Sequence, residues 1–134
     1  MKNLVIHIVE DDIIIAMDMQ DMLEIMGHRV ESISISYEAF MRKLPDDHSD
    51  LYLVDINLRG EKNGIDVAKE LAIRSIPHIY VSSETNKAIL KQAEETKPNC
   101  YLQKPFDMQD LMVAIQSASA VKDFKRRESH SGVC

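Results

Sequence analysis

The chain has no apolar stretch approaching the roughly 18 residues that span a bilayer, and no basic segment leading into an apolar signal region. A cytosolic protein is expected. Cysteine is scarce: only Cys100 and Cys134 occur, too few for a disulfide framework and not spaced as a metal-binding pair. Reduced thiols are the expectation, with Cys100 a small packed residue rather than a redox sensor. Basic charge is also in deficit, 16 lysines and arginines against 22 acidic residues, for a formal net charge of -6. That balance opposes binding to the polyanionic surfaces of nucleic acid or membrane. The one basic run, Lys122, Lys125, Arg126 and Arg127, reads as a solvated end. The five histidines, at 7, 28, 48, 78 and 130, stand singly without metal-ligand spacing, which argues against a zinc site.

What is present is enough for one well-packed domain: 134 residues, 45% of them hydrophobic. Leu4 to Val9 is nearly continuous in apolar and β-branched residues, as in a strand covered on both faces, and stops at Glu10-Asp11-Asp12. Ile15, Met19, Met22 and Met26 then recur at helical spacing, with Gly27 placed as a left-handed C-cap. The methionines at 17, 19, 22 and 26 read as core filler. The alternation continues with a strand over 29–35, a helix over about 36–44 closed by Pro45, and the strand Leu51 to Asp55. A polar loop with Gly60 and Gly64 precedes a helix through Val67, Ala68, Leu71 and Ala72. Next come a strand over 77–81, a helix over 84–96, a short strand Tyr101 to Gln103, and a last helix N-capped by Asp107. Five strands alternating with five helices predict an α/β fold, a parallel sheet with helices on both faces. Its ligands bind beyond the C-terminal strand ends.

Those ends hold the chemistry. Glu10, Asp11 and Asp12 follow the first strand, Asp55 ends the third, Ser82-Ser83 the fourth, and Lys104-Pro105 follows the fifth. Carboxylates gathered at one edge repel unless a cation neutralises them, and Mg²⁺ accepts a few such oxygens while keeping waters for an incoming phosphate. Asp55 is then a carboxylate nucleophile for phosphorus, and Lys104 a source of positive charge for the transferring group. Ser82 offers a hydroxyl to the bound phosphoryl group. Taken singly, Asp12 reads equally as the N-cap of the first helix, with Glu10 and Asp11 favourable near its positive end. Lys104 alone would be a solvated lysine and Tyr101 a half-buried strand aromatic.

In Val9-Glu10-Asp11-Asp12, Leu53-Val54-Asp55, Gly64, Val81-Ser82-Ser83 and Tyr101-Leu102-Gln103-Lys104-Pro105-Phe106, the sequence resembles the receiver domain of two-component response regulators, over about residues 3–120. The resemblance implies a flavodoxin-like, doubly wound five-stranded sheet of order 2-1-3-4-5, with a receiver domain over 1–122 and a flexible polar tail over 123–134. It implies Asp55 as phosphoacceptor, Asp11 as direct Mg²⁺ ligand, Glu10 acting mainly through a metal-bound water, the backbone carbonyl of Asn57 as a further ligand, and Lys104 on the phosphoryl group. The Lys104-Pro105 bond would be cis. Ser82 and Tyr101 would form the switch pair, and Asn57 and Glu84 would tune the lifetime of the phosphoryl group. Two positions depart from the family pattern: Ser82 stands where threonine is commoner, and Cys100 where glycine or alanine is frequent.

The function so implied is that of a stand-alone regulator, not a multiple-turnover enzyme. It would take its phosphoryl group from a histidine kinase or a histidine phosphotransfer protein, and act on a protein target through the surface of the fourth helix, fifth strand and fifth helix. It would be a monomer or a phosphorylation-dependent dimer. Met1 and the polar tail suggest an independent protein. Two other readings differ in class. A haloacid-dehalogenase-type phosphatase would carry a second aspartate two residues after the nucleophile, where this chain has Asn57. An unphosphorylated interaction module would be expected to have lost part of the acidic pair, the acceptor or the lysine, all of which are present.

Overall fold

A computed structural model of the chain describes the backbone of residues 3–123 and the side chains of residues 3–119. The elements follow in the order β1 (Val5–Val9), α1 (Ile13–Ile25), β2 (Arg29–Ser34), α2 (Tyr37–Lys43), β3 (Leu51–Val54), α3 (Gly64–Ile73), β4 (His78–Ser82), α4 (Lys87–Glu94), β5 (Cys100–Gln103) and α5 (Met108–Asp123). All strand pairs are parallel, and the sheet order is β2-β1-β3-β4-β5. This is the expected flavodoxin-like arrangement, with the reversal of direction between β1 and β3. The basic run and the polar tail, from residue 124 on, lie outside the described residues.

Strand periodicity divides the core between the two faces. Ile6, Ile8, Leu51, Leu53, Ile79 and Val81 pack under α1 and α5, against Ala16, Met19, Leu23, Leu111 and Ile115. The alternate positions Tyr52, Val54 and Tyr80 pack on the other face against Phe40, Val67, Ala68, Leu71 and Ala93, contributed by α2, α3 and α4. Among the described residues no helix is long and apolar enough to cross a membrane.

The helix ends are set by side chains and turn geometry. Asp12 Oδ1 accepts from the N–H groups of Ile14 and Ile15 to cap α1, and Gly27, at φ +96°, ends it as expected. There the N–H of His28 reaches the carbonyl of Leu23, and that of Gly27 reaches Glu24, which satisfies carbonyls the helix leaves open. Asp107 and Asp110 exchange side chain and backbone hydrogen bonds at the start of α5.

The second helix ends before Pro45 as expected, at Lys43 with Leu44 as its cap, and Pro45 then sits in a 3₁₀ turn, Leu44–Asp46, where its missing N–H costs no helical hydrogen bond. Three local expectations need correction. The fourth helix begins at Lys87 and not at 84, because Asn86 is its cap and Glu84 is committed to the loop before it. Met17 is 54% exposed, so of the four methionines only Met19, Met22 and Met26 face the core. Cys100 is disulfide-bonded, in place of the reduced thiol expected there; the other cysteine, Cys134, lies outside the described residues.

One buried polar network has no counterpart in the sequence reading. His7, on β1, is fully buried and bonds Asp47 through Nδ1 and Ser34 Oγ through Nε2, the latter at 2.7 Å. Asp47 also accepts from the hydroxyls of Tyr52 and Ser49, the latter at 2.6 Å. Burial outweighs the neighbouring carboxylate and keeps the pKa of His7 below its ordinary value, so the ring is neutral at pH 7. An ionised Asp47 only accepts, which puts the proton on Nδ1 and makes Nε2 the acceptor of the Ser34 hydroxyl.

Candidate phosphoacceptor site

The site forms where β1 and β3 end side by side. The N–H of Asp55 donates to the carbonyl of Val9 at 2.9 Å, and the N–H of Glu10 donates to that of Ser34 at 3.0 Å, so both acidic residues leave the sheet from fixed backbone. Glu10 is 1% exposed and Asp55 6%. Carboxylate oxygens of Glu10, Asp11 and Asp55 all lie within 4.8 Å of one another.

Lys104 enters from the far side of the sheet. Its N–H donates to the carbonyl of Ser82 at 2.9 Å, which carries the residue past the end of β4, and the peptide to Pro105 is cis as expected. Its ammonium donates to Glu10 Oε1 at 2.8 Å and to Asp55 Oδ2 at 3.3 Å. Burial pushes the Glu10 carboxyl up to about 7; the hydrogen bond from Lys104 acts against this, and the charge of Asp55 adds to it. For Lys104, burial alone would lower the pKa, but the two carboxylates outweigh it and hold the ammonium above its ordinary value.

The remaining predicted residues form a chain leading away from Asp55. Asp55 Oδ1 accepts from the N–H of Asn57 at 3.1 Å, and the Asn57 side chain amide donates to Ser82 Oγ at 3.5 Å. Ser82 is fully buried, and its Oγ also accepts from the N–H of Glu84 at 3.1 Å. The hydroxyl of Tyr101 donates to the carbonyl of Glu84 at 3.2 Å, with the ring packed beside Tyr80. Ser82 and Tyr101 therefore meet on one backbone unit, that of Glu84. The Glu84 carboxylate accepts from the N–H groups of Thr85 and Asn86. Asp12 is not among the gathered carboxylates: it serves as the cap of α1, so the structural alternative holds there while Glu10 and Asp11 join Asp55.

One participant gave no readable signal in the sequence, and a second showed its position but not its reason. Arg59 donates to Asp11 Oδ2 from its main-chain N–H at 3.0 Å, and its guanidinium Nε forms an ion pair with the same oxygen at 3.4 Å. A lone arginine in a polar loop has no spacing that announces such a contact. Gly64 was visible as a glycine, but its reason was not: α3 begins against the backbone of Asp55 and Ile56, and the N–H of Gly64 donates to the carbonyl of Ile56 at 2.9 Å.

This donor set suits a small divalent cation. The gathered ligands are hard anionic oxygens, two of the residues are almost wholly buried, and the ammonium of Lys104 answers only part of their charge.

Residues 6–116 match the family model of the response regulator receiver domain. The chain belongs to that family. Among relatives of this receiver domain, the transcriptional regulatory protein PdtaR of Mycobacterium tuberculosis is 28% identical over 112 residues, which are 83% of this chain and 54% of that protein. The phyllosphere-induced regulator PhyR of Methylorubrum extorquens is 27% identical over 94% of this chain and 48% of its own. The chain thus spans about half the length of the curated relatives it matches. Among solved structures, the receiver domain of a modulated diguanylate cyclase from Desulfovibrio desulfuricans superposes with a TM-score of 0.86 at 29% identity, covering 93% of this chain and 100% of that one. A CheY-like receiver domain from Methanospirillum hungatei, at 22% identity and a TM-score of 0.81, covers 91% and 98% and shares the fold.

Proposed function

We propose that this receiver domain accepts a phosphoryl group on Asp55 in a Mg²⁺-dependent reaction and passes on the event as a conformational signal. The observation that carries the reading is the meeting of Glu10, Asp11 and Asp55 with the ammonium of Lys104 at the ends of parallel strands. The carboxylates of Glu10, Asp11 and Asp55 and the main-chain carbonyl of Asn57 would hold the cation, Glu10 mainly through a bound water. When bound, the ion supplies positive charge to the oxygens of the transferring phosphoryl group.

Asp55 attacks with a carboxylate oxygen: a new O–P bond forms as the bond from phosphorus to the donor breaks, and the donor departs with that electron pair. The hydrogen bond from the N–H of Asn57 to Oδ1 orients the carboxylate for this attack. Lys104, already on Asp55 Oδ2, neutralises charge on the transferred group. Asn57 and Glu84 set the lifetime of the product.

The signal travels through Ser82. Its hydroxyl, when turned to the new phosphoryl oxygens, leaves the N–H of Glu84, whose carbonyl holds the Tyr101 hydroxyl. Tyr101 then repositions, and the surface of α4, β5 and α5 changes for a protein target. The phosphodonor is a histidine kinase or a histidine phosphotransfer protein, and the chain is a cytoplasmic switch and not a multiple-turnover enzyme. Asn57 supports this last point, since an amide cannot act as the general acid that repeated phosphomonoester hydrolysis requires. Intact-mass spectrometry after incubation with acetyl phosphate tests the reading. One phosphoryl adduct that needs Mg²⁺ and disappears in Asp55→Ala is expected; no adduct with any donor would favour a silent interaction module.

A further inference from the structure

Asp11 is the one clustered carboxylate that Lys104 does not touch, and its cation comes from elsewhere. The guanidinium of Arg59, 48 positions along the chain, approaches its Oδ2 at 3.4 Å, while the arginine side chain as a whole is 87% exposed. An exposed arginine arm loses little when it is released to water, since such contacts are weak and screened. Its main-chain N–H makes a separate hydrogen bond to the same oxygen at 3.0 Å, which does not depend on the side chain. The cluster of three carboxylates is thus met by two of the protein's own cations, Lys104 on Glu10 and Asp55, and Arg59 on Asp11.

We propose that Arg59 is a built-in competitor of the metal ion, whose guanidinium neutralises Asp11 and is displaced when a divalent cation binds, so that this residue sets the metal affinity of the site. The inference rests on the metal-dependent reading above. It separates side chain from backbone: Arg59→Ala removes the competing charge and leaves the N–H that positions Asp11.

The test is a titration of the full chain with MgCl₂, followed by the amide signals of residues 10–12 and 55–59, for the wild type, Arg59→Ala and Asp11→Asn, at low and at high potassium chloride. Arg59→Ala is expected to bind Mg²⁺ more tightly by a factor of about two to five at low salt, with the gain shrinking as salt screens the guanidinium. Asp11→Asn should lose most of the response. Equal or weaker binding by Arg59→Ala, with the wild type still titrating and Asp11→Asn impaired, overturns the role of Arg59 and leaves the metal site standing. Absence of any response in the wild type overturns the metal-dependent reading itself, and this inference with it.

Discussion

A Cβ placed on Gly64 would fall 1.9 Å from the main-chain oxygen of Asp55. The contact is backbone on backbone, so no side chain rotation relieves it. Glycine is required here by space, and the first turn of α3 acts as a stop against which Asp55 is seated.

Gly64→Ala should therefore lower stability by about 2 kcal/mol or more, the scale of an overpacked core site, and displace Asp55. Urea unfolding measures the first effect, and the amide shifts of residues 55–57 report the second. An alanine variant with wild-type stability and shifts would mean that α3 moves away freely.

Removing the ammonium is expected to leave the fold intact and damage the chemistry. Lys104→Ala takes away the partner of both Glu10 and Asp55. Its rate of phosphoryl uptake from acetyl phosphate should fall roughly 100-fold, as for loss of one preorganised charge at a transition state. An unchanged rate, with circular dichroism unchanged, would remove Lys104 from the mechanism.

Much of this site was legible in the sequence because its acidic and basic members each end or follow an apolar strand. Val9 before Glu10 and Val54 before Asp55 mark places where a buried parallel strand gives way to polar residues, Lys104 follows the partly buried edge strand β5, and the sheet order brings those places together. Asp12 shows the limit of that argument, since it shares the position of its neighbours and yet turns to cap α1. Contacts made by tertiary geometry alone had no pattern to read. Arg59 lies in an irregular loop, and His7, Ser34 and Asp47 are scattered over three segments with no common period.

The network around Asp47 should be a stability element. Burial alone would raise its pKa, but the hydrogen bonds from Ser49, Tyr52 and His7 prevail and bring it down to about 2. Asp47→Ala leaves the buried hydroxyl of Tyr52 and the Nδ1–H of His7 without their acceptor. A loss of about 3 kcal/mol is expected in urea unfolding, against less than about 1 kcal/mol for an exposed control such as Asp18→Ala.

Stability should also fall in mild acid. Burial lowers the pKa of His78 to about 4 and holds those of His7 and His28 below 6.5. Because the unfolded chain takes up protons at these residues first, their contribution is complete above about pH 6.5 and declines below it, for His78 as pH falls toward about 4. For His78 alone the full change is on the order of 3 kcal/mol. Urea unfolding at several pH values checks this, with a shallower slope expected for His78→Gln; an identical slope would assign the acid sensitivity to other groups.

The most direct test of the central claim is chemical trapping of the acyl phosphate. After incubation with Mg²⁺ and acetyl phosphate, borohydride reduction converts a phosphorylated aspartate to homoserine, and peptide mass spectrometry locates it. Homoserine at position 55, dependent on Mg²⁺, is the predicted result. Homoserine at Asp11 or another carboxylate, or an acid-stable adduct elsewhere with position 55 unchanged, would contradict it.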